Sequence, residues 1–211
     1  MAKLAPIRPY ETTWEDWLLG GGAEATFEDP TLPLEIEIGP GDDGFLYECA
    51  CEHADRNWLG IEYSRKRVRR YVRRVEQGGR PLPNLRLIWR PAGDLIGPFL
   101  TPGRVHAYHI YFPDPWPKAH HARYRLMTPA FVGALRDSLE PDGRIDVATD
   151  SDEYVEEIRA ACAEAGGMDE EGGARPGPGG VAGDRPTVFE ERWRSMGRTI
   201  HFLRFRRKEN A

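Results

Sequence analysis

Leu34-Glu-Ile-Glu-Ile-Gly-Pro-Gly41 opens the part of the chain whose reading decides the fold. Residues 34–38 are rich in β-branched side chains and stop at a glycine, the signature of a short strand ended by a turn. Phe45 to His53 then reads as a helix, and Trp58-Leu-Gly-Ile-Glu62 as a second strand, which gives a β-loop-α-β opening. Gly39 and Gly41 let the backbone of the first turn come close to a ligand, and Glu62 ends the second strand. In dinucleotide-binding folds a carboxylate about 20 residues past the glycine turn accepts the ribose hydroxyls of an adenosine.

Gly39-Pro-Gly-Asp-Asp-Gly44 formally fits the G-x-G-x-x-G nicotinamide fingerprint. Asp42 and Asp43, however, would repel a pyrophosphate arriving at a helix N-terminus. Together with Glu35 and Glu37 they suit a cationic ligand without phosphates, such as a sulfonium. A second reading of the two aspartates is that they favourably charge the first helical turn.

Outward from this unit, strands and helices keep alternating. Ser64 is placed to cap a helix running to about Gln77, ended by Gly78-Gly79. Asn84 to Trp89 and Val105 to Phe112 read as the third and fourth strands. Met127 to Leu139 suits a helix, the turn Pro141-Asp142-Gly143 leads into the strand Gly143 to Thr149, and Ser151 caps an amphipathic helix with Tyr154, Val155, Ile158, Ala161 and Cys162 on one face. Arg198 to Arg207 closes the chain as a strand. The pattern predicts a doubly wound, Rossmann-like α/β sheet, mostly parallel with a C-terminal antiparallel strand, in which ligands bind beyond the carboxyl ends of the strands. One domain over 1–211 is expected, with residues 1–33 as an N-terminal extension and 166–186, rich in Gly and Pro, as a flexible loop.

Composition agrees with a globular chain. Among 211 residues there are 29 basic and 34 acidic side chains, a net charge of −5, with 40% hydrophobic residues. Such a chain is too apolar for a disordered polyampholyte and long enough to bury about 70% of its unfolded surface. A generally basic nucleic-acid coat is excluded, so any RNA must be bound locally. No apolar run approaches the roughly 20 residues of a membrane span, and residues 1–14 lack the apolar segment of a secretory signal, so a cytoplasmic location is expected. Cys49, Cys51 and Cys162 form no CxxC pair, which points to reduced, mostly buried thiols.

Phe112-Pro-Asp-Pro-Trp-Pro-Lys118 follows the fourth strand and is the least generic stretch in the chain. Pro113 and Pro115 restrict their neighbours and hold Asp114 in a stiff loop at the mouth of the sheet, with Trp116 as a flat surface that either stacks on a base or packs. Asp150 ends the next strand in sequence and is expected at the same end. Lys118 can face an anion, and His120, His121, Arg123, Tyr124 and Arg125 form a basic and aromatic cluster suited to phosphates and base stacking. Adjacent histidines without a nearby cysteine do not make a metal site. Asp114-Pro-Trp116 also leaves open a transferase acting on an exocyclic amine, and a cofactor- or RNA-binding module without turnover is a further alternative.

LEIEIGPG, WLGIE, FPDPWPK, VATD and the late RPTVFE occur here in the order and approximate spacing of a known family, over about Leu34 to Phe205. In these motifs the chain resembles the bacterial tRNA (guanine-N7)-methyltransferases, the TrmB family. The resemblance implies a class I methyltransferase fold, S-adenosyl-L-methionine as cofactor, tRNA as partner, and N7 of a variable-loop guanosine as methyl acceptor. It places Glu37, Gly39, Gly41 and Glu62 at the cofactor, Glu62 on its ribose, and makes Asp114 both a cofactor-side carboxylate and the catalytic residue. Lys118, Asp150, Thr187 and Glu190 fall on the substrate side. Neither a metal nor a membrane is implied.

Overall fold

The computed structural model describes residues 26–41, 44–98, 100–172 and 186–209. These divide into two compact units, with the boundary between Thr101 and Pro102. In the first, β1 (Leu34–Ile38), β2 (Asn57–Glu62) and β3 (Leu85–Trp89) run parallel in the order β3-β2-β1, connected by α1 (Phe45–Glu52) and α2 (Arg65–Gln77). β1 and β2 are buried along their whole length, so Glu35, Glu37, Asn57 and Glu62 lie buried among their apolar residues.

Trp58, Leu46, Val68, Tyr71, Val72, Val75 and Leu87 form the core of this unit. Its polar groups are matched: the Tyr47 N–H donates to the Tyr71 phenol oxygen at 2.8 Å, and the Asn84 amide donates to the Ala50, His53 and Arg56 carbonyls at 3.0–3.1 Å. Asn84 thereby closes the carbonyl end of α1, whose last turn has no helical partners of its own. Glu35, read from the sequence as part of an acidic ligand loop, is instead fully buried and ion-paired with Arg56 at 2.5 Å.

α2 carries an unusual charge pattern. Its sequence, Arg-Lys-Arg-Val-Arg-Arg-Tyr-Val-Arg-Arg-Val-Glu-Gln, has no acidic residue in the first turn. Cations at the positive end of a helix dipole cost about 0.3–1 kcal/mol each, so packing of Val68, Tyr71, Val72 and Val75 must hold the helix. Ser64 takes the N-cap position, but the structure gives its side chain no capping bond. Its N–H donates to Glu62 Oε1 at 2.7 Å instead.

The second unit has β4 (Val105–Tyr111), β5 (Leu139–Thr149), β7 (His201–Arg207) and β6 (Met168–Glu171), with α3 (Pro129–Ser138), α4 (Asp152–Ala165) and α5 (Val188–Ser195). β4 and β5 are parallel, and β7 is antiparallel to both β5 and β6. The strand order of the chain is β3-β2-β1-β4-β5-β7-β6, the mostly parallel sheet with antiparallel C-terminal strands that the alternation predicts. Thr128 caps α3 by accepting from the Phe131 N–H, so that helix starts two residues later than expected. Ser151 caps α4, and all five residues expected on its apolar face are buried.

Two expectations are corrected. Pro141-Asp142-Gly143 does not precede β5 but lies within it, with Asp142 at φ 63° and a register shift against β4. Residues 166–186 do not form one loop. Gly166 and Gly167, at φ 70° and 69°, turn the chain out of α4, and Met168–Glu171 then pairs with β7. Cross-strand ion pairs Glu171–Arg206 (2.5 Å) and Asp169–Lys208 (3.0 Å) supply what its polar sequence does not offer by hydrophobic patterning. Residues 173–185 of that stretch, and 1–25 of the N-terminal extension, lie outside the described residues, as do Asp42 and Asp43. The end of the extension joins the first unit through buried Phe27 and through Asp29, whose carbonyl accepts from the Asn57 amide at 2.7 Å. No described helix is long and apolar enough to cross a membrane.

Gly60 of β2 has no room for a side chain: a Cβ there would meet Leu46 and Leu87 at 2.7 and 2.8 Å. Gly60→Ala is expected to lower unfolding free energy by about 1–3 kcal/mol through overpacking, read by urea denaturation.

Candidate functional site

In the first unit the register of β1 and β2 sets Gly39 beside the end of β2. The Gly39 N–H donates to the Ile61 carbonyl at 2.8 Å, one residue before Glu62. Gly39 and Gly41 have φ of 76° and 58°, the left-handed region that glycine adopts without strain. A Cβ at Gly39 would meet nothing within 4 Å, so the turn presents bare backbone. The Glu62 side chain is 1% exposed, and its two oxygens accept from the Ser64 N–H at 2.7 Å and the Gly41 N–H at 3.3 Å. The carboxylate thus fixes the glycine turn, and the Arg67 guanidinium stands 3.9 Å from its Oε2. Glu37, on β1 one residue before Ile38, is also buried.

These features fit an adenosine-type cofactor carrying a positive charge: buried carboxylates at two strand ends and an open glycine turn. They also account for the thiol of Cys49, which is pushed up by burial and then by Glu37 and Glu35. Burial likewise pushes the Cys162 thiol up to about 12, so neither sulfur is a nucleophile near neutral pH.

In the second unit the site is built on the 112–118 loop. The Phe112 N–H donates to the Ala148 carbonyl at 2.7 Å, which ties the loop to the end of β5. Phe112 and Trp116 have φ of 51° and 42°. Non-glycine residues in that region store about 1–3 kcal/mol each and persist only when their surroundings hold them. Asp114, between them, is exposed. The holding group is Arg125: its guanidinium donates to the Pro115 carbonyl at 2.7 Å, to the Trp116 carbonyl at 3.1 Å, to Glu153 at 3.2 Å and to Glu157. It also lies over the Tyr154 ring at 5.7 Å. The loop is therefore pinned to α4.

Arg125 was grouped by sequence with the phosphate-facing cations, and this is corrected: its side chain is 8% exposed and fully engaged. Glu153 and Glu157, four residues apart on one helix face, were the signal for it. Trp116 packs edge-on against His121 at 5.4 Å and, with the rings tilted, against Tyr124 at 5.5 Å. Lys118, His120, Arg123 and Tyr124 remain exposed on the 3₁₀ segment Ala119–Tyr124 and its N-cap.

The late motif joins the same loop. The Phe112 and Phe189 rings lie 6.1 Å apart. Thr187 is the N-cap of α5, its hydroxyl accepting from the Glu190 N–H at 3.1 Å, and Glu190, 2% exposed, accepts from Arg194 at 2.8 Å. This is a capping function for Thr187 that the sequence reading did not assign. Asp150, after β5, is ion-paired with Arg198, whose guanidinium covers the Trp193 ring at 4.5 Å. Arg198 had no local sequence signal, since 48 residues separate it from Asp150. The second unit thus brings together the Asp114 loop, Asp150 and the Thr187–Glu190 helix start; Glu37, Gly39, Gly41 and Glu62 gather in the first. Among the described residues no group of three His, Cys, Asp or Glu is arranged to hold a metal.

Arg125→Ala frees both loop carbonyls while its partners Glu153 and Glu157 stay solvated. We expect turnover to fall on the order of 10²-fold from misplacement of Asp114, with the thermal midpoint little changed. Steady-state kinetics with parallel thermal melts checks this.

Comparison with known proteins accords with this geometry. The family described as "Putative methyltransferase" matches residues 31–203. The tRNA (guanine-N(7)-)-methyltransferase of Alkalilimnicola ehrlichii is 34% identical over 84% of this chain and 74% of its own length. That of Nitrosomonas eutropha is 33% identical over 83% and 76%. Among solved structures, the 16S rRNA methyltransferase KamB is similar in fold alone, with a TM-score of 0.56 at 20% identity over 83% of this chain and 86% of its own. A match of this extent, with relatives at this identity over most of both chains, means that the chain belongs to the tRNA (guanine-N7)-methyltransferase family.

Proposed function

We propose that this chain methylates N7 of a guanosine in tRNA, by resemblance the variable-loop guanosine, using S-adenosyl-L-methionine. The observation that carries the reading is the strained, Arg125-clamped loop exposing Asp114 in a member of this family. The family match spans both units, and we take them as one methyltransferase domain acting in the cytoplasm, where tRNA is found.

When bound, the cofactor supplies a methyl group on a sulfonium, which guanine N7 can accept through its exposed lone pair with no prior proton removal. The protein therefore needs no covalent nucleophile, in keeping with the buried thiols of Cys49 and Cys162. Its work is alignment and a suitable field. Glu62 accepts ribose hydroxyls, Glu37 contributes negative charge to the same strand ends, and the bare turn at Gly39 and Gly41 admits the methionine portion.

Asp114 offsets positive charge as it grows on the base, and its fixed position means no reorganisation at that moment. Alignment of this kind is worth about 7–11 kcal/mol in well-oriented systems. Lys118 meets phosphate. Asp150, oriented by Arg198, and the start of α5 at Thr187 and Glu190 border the acceptor base, where a carboxylate accepting from the guanine N1–H and amino group would select guanine over adenine. An amine-directed reading leaves the Thr187–Glu190 motif without a role, and a module without turnover leaves the stored strain around Asp114 unused.

Asp114→Ala is expected to lower turnover by about 10²-fold or more with the fold intact, whereas Glu62→Ala weakens cofactor binding by about tenfold or more, each lost charged hydrogen bond being worth roughly 1.5–3 kcal/mol. Nucleoside digests of tRNA incubated with labelled cofactor, and calorimetry without RNA, read the two effects. Full activity in Asp114→Ala would remove that residue from catalysis. A product other than 7-methylguanosine from the wild type would overturn the reading itself.

A further inference from the structure

α2 places its charge where neither the core nor the residues assigned above need it. At 100° per residue, Val68, Tyr71, Val72 and Val75 occupy one side, and all are buried, at 0–2% exposure. The opposite side is formed by Lys66, Arg69, Arg70 and Arg73, at spacings of three, four and seven residues, and all four are exposed. No acidic residue falls among them, and Lys66, Arg69 and Arg73 have no ion-pair partner among the described residues. In a chain of net charge −5 this is a concentrated positive stripe, about 10 Å long at 1.5 Å per residue.

The stripe works against its own helix. It crowds the positive end of the dipole and sets like charges at i, i+4 in Lys66–Arg70 and Arg69–Arg73, and the helix's single carboxylate, Glu76, comes only in its last turn. A polyanion laid along the helix would remove this repulsion and release its own counterions.

We propose that the outward face of α2 is a docking rail for the phosphate backbone of tRNA, separate from the Lys118 region. The proposal rests on tRNA being the substrate. A lipid surface is the other common partner of a basic amphipathic helix, but it requires the apolar face to insert, and here that face is the core of the first unit. Arginine-rich repetition also suits phosphates, which accept from a guanidinium in bidentate fashion. The rail carries no base information. It adds affinity and orientation, and leaves choice of guanosine to the loop residues.

The test compares the wild type with the triple variants Lys66→Gln/Arg69→Gln/Arg73→Gln and Lys66→Arg/Arg69→Lys/Arg73→Lys, with unmodified tRNA as the probe in filter binding across 50–300 mM salt. The neutral triple is expected to bind at least tenfold more weakly, with a salt slope shallower by about two to three, since each phosphate contact contributes roughly 0.7–0.9. The charge-retaining triple keeps the wild-type slope. In methyl-transfer assays the neutral triple raises KM and spares kcat, its cofactor affinity is unchanged, and its thermal midpoint does not fall, since the removed charges opposed the helix.

Wild-type affinity and slope in the neutral triple would overturn the rail. So would loss of binding to phosphatidylglycerol vesicles with tRNA binding intact, which would assign the stripe to a membrane. Failure of the wild type to form 7-methylguanosine would defeat the methyltransferase reading alone, because the binding comparison is scored without turnover.

Discussion

The Arg125 guanidinium donates to the Pro115 and Trp116 carbonyls on one side and to Glu153 and Glu157 on the other, joining a loop that stores backbone strain to a helix that does not. Without such a tie the left-handed Phe112 and Trp116 would relax, and Asp114 would have no defined position. Proline stiffness alone restricts the residues beside it but fixes no direction in space. The direction comes from a buried cation with carboxylates and carbonyls on both sides, further held by the Tyr154 ring. Phe112 extends the same support to α5 through Phe189, so one loop organises the carboxylates and the late motif of the second unit.

The first unit solves a different problem, how to keep acidic groups at the ends of buried strands. Glu62 does so by accepting from two backbone N–H groups, one in the glycine turn and one at the start of α2. The bonds that satisfy this buried carboxylate also shape the turn a ligand would meet. Glu35, two residues before Glu37, shows the contrast: it is neutralised by Arg56 and serves the fold. Of these two glutamates of similar sequence setting, Glu35 meets the residue just before β2, and Glu37 is the one proposed for the cofactor.

Much of this was legible in the sequence because alternation of strands and helices has short-range causes. The apolar face of α4, the glycine turn and the position of Glu62 followed from periodicity and spacing. What was not legible was long-range or local in an unusual way. The Asp150–Arg198 pair joins residues with no shared pattern, and Arg125 reads as one more cation in a basic run until α4 is folded beside it. β6, Met-Asp-Glu-Glu, is polar after its first residue and is specified by ion pairs to β7 and Lys208 rather than by hydrophobicity. Thr187 was recognised by family motif, while its capping bond needed coordinates.

Location of the methyl group tests the central claim most directly. Unmodified tRNA, reacted with the wild-type protein and S-adenosylmethionine, is cleaved chemically at 7-methylguanosine and sized on a sequencing gel. The account predicts a single cleavage, at the variable-loop guanosine. Absence of cleavage, or methyl incorporation that leaves every guanosine N7 unmodified, would contradict it.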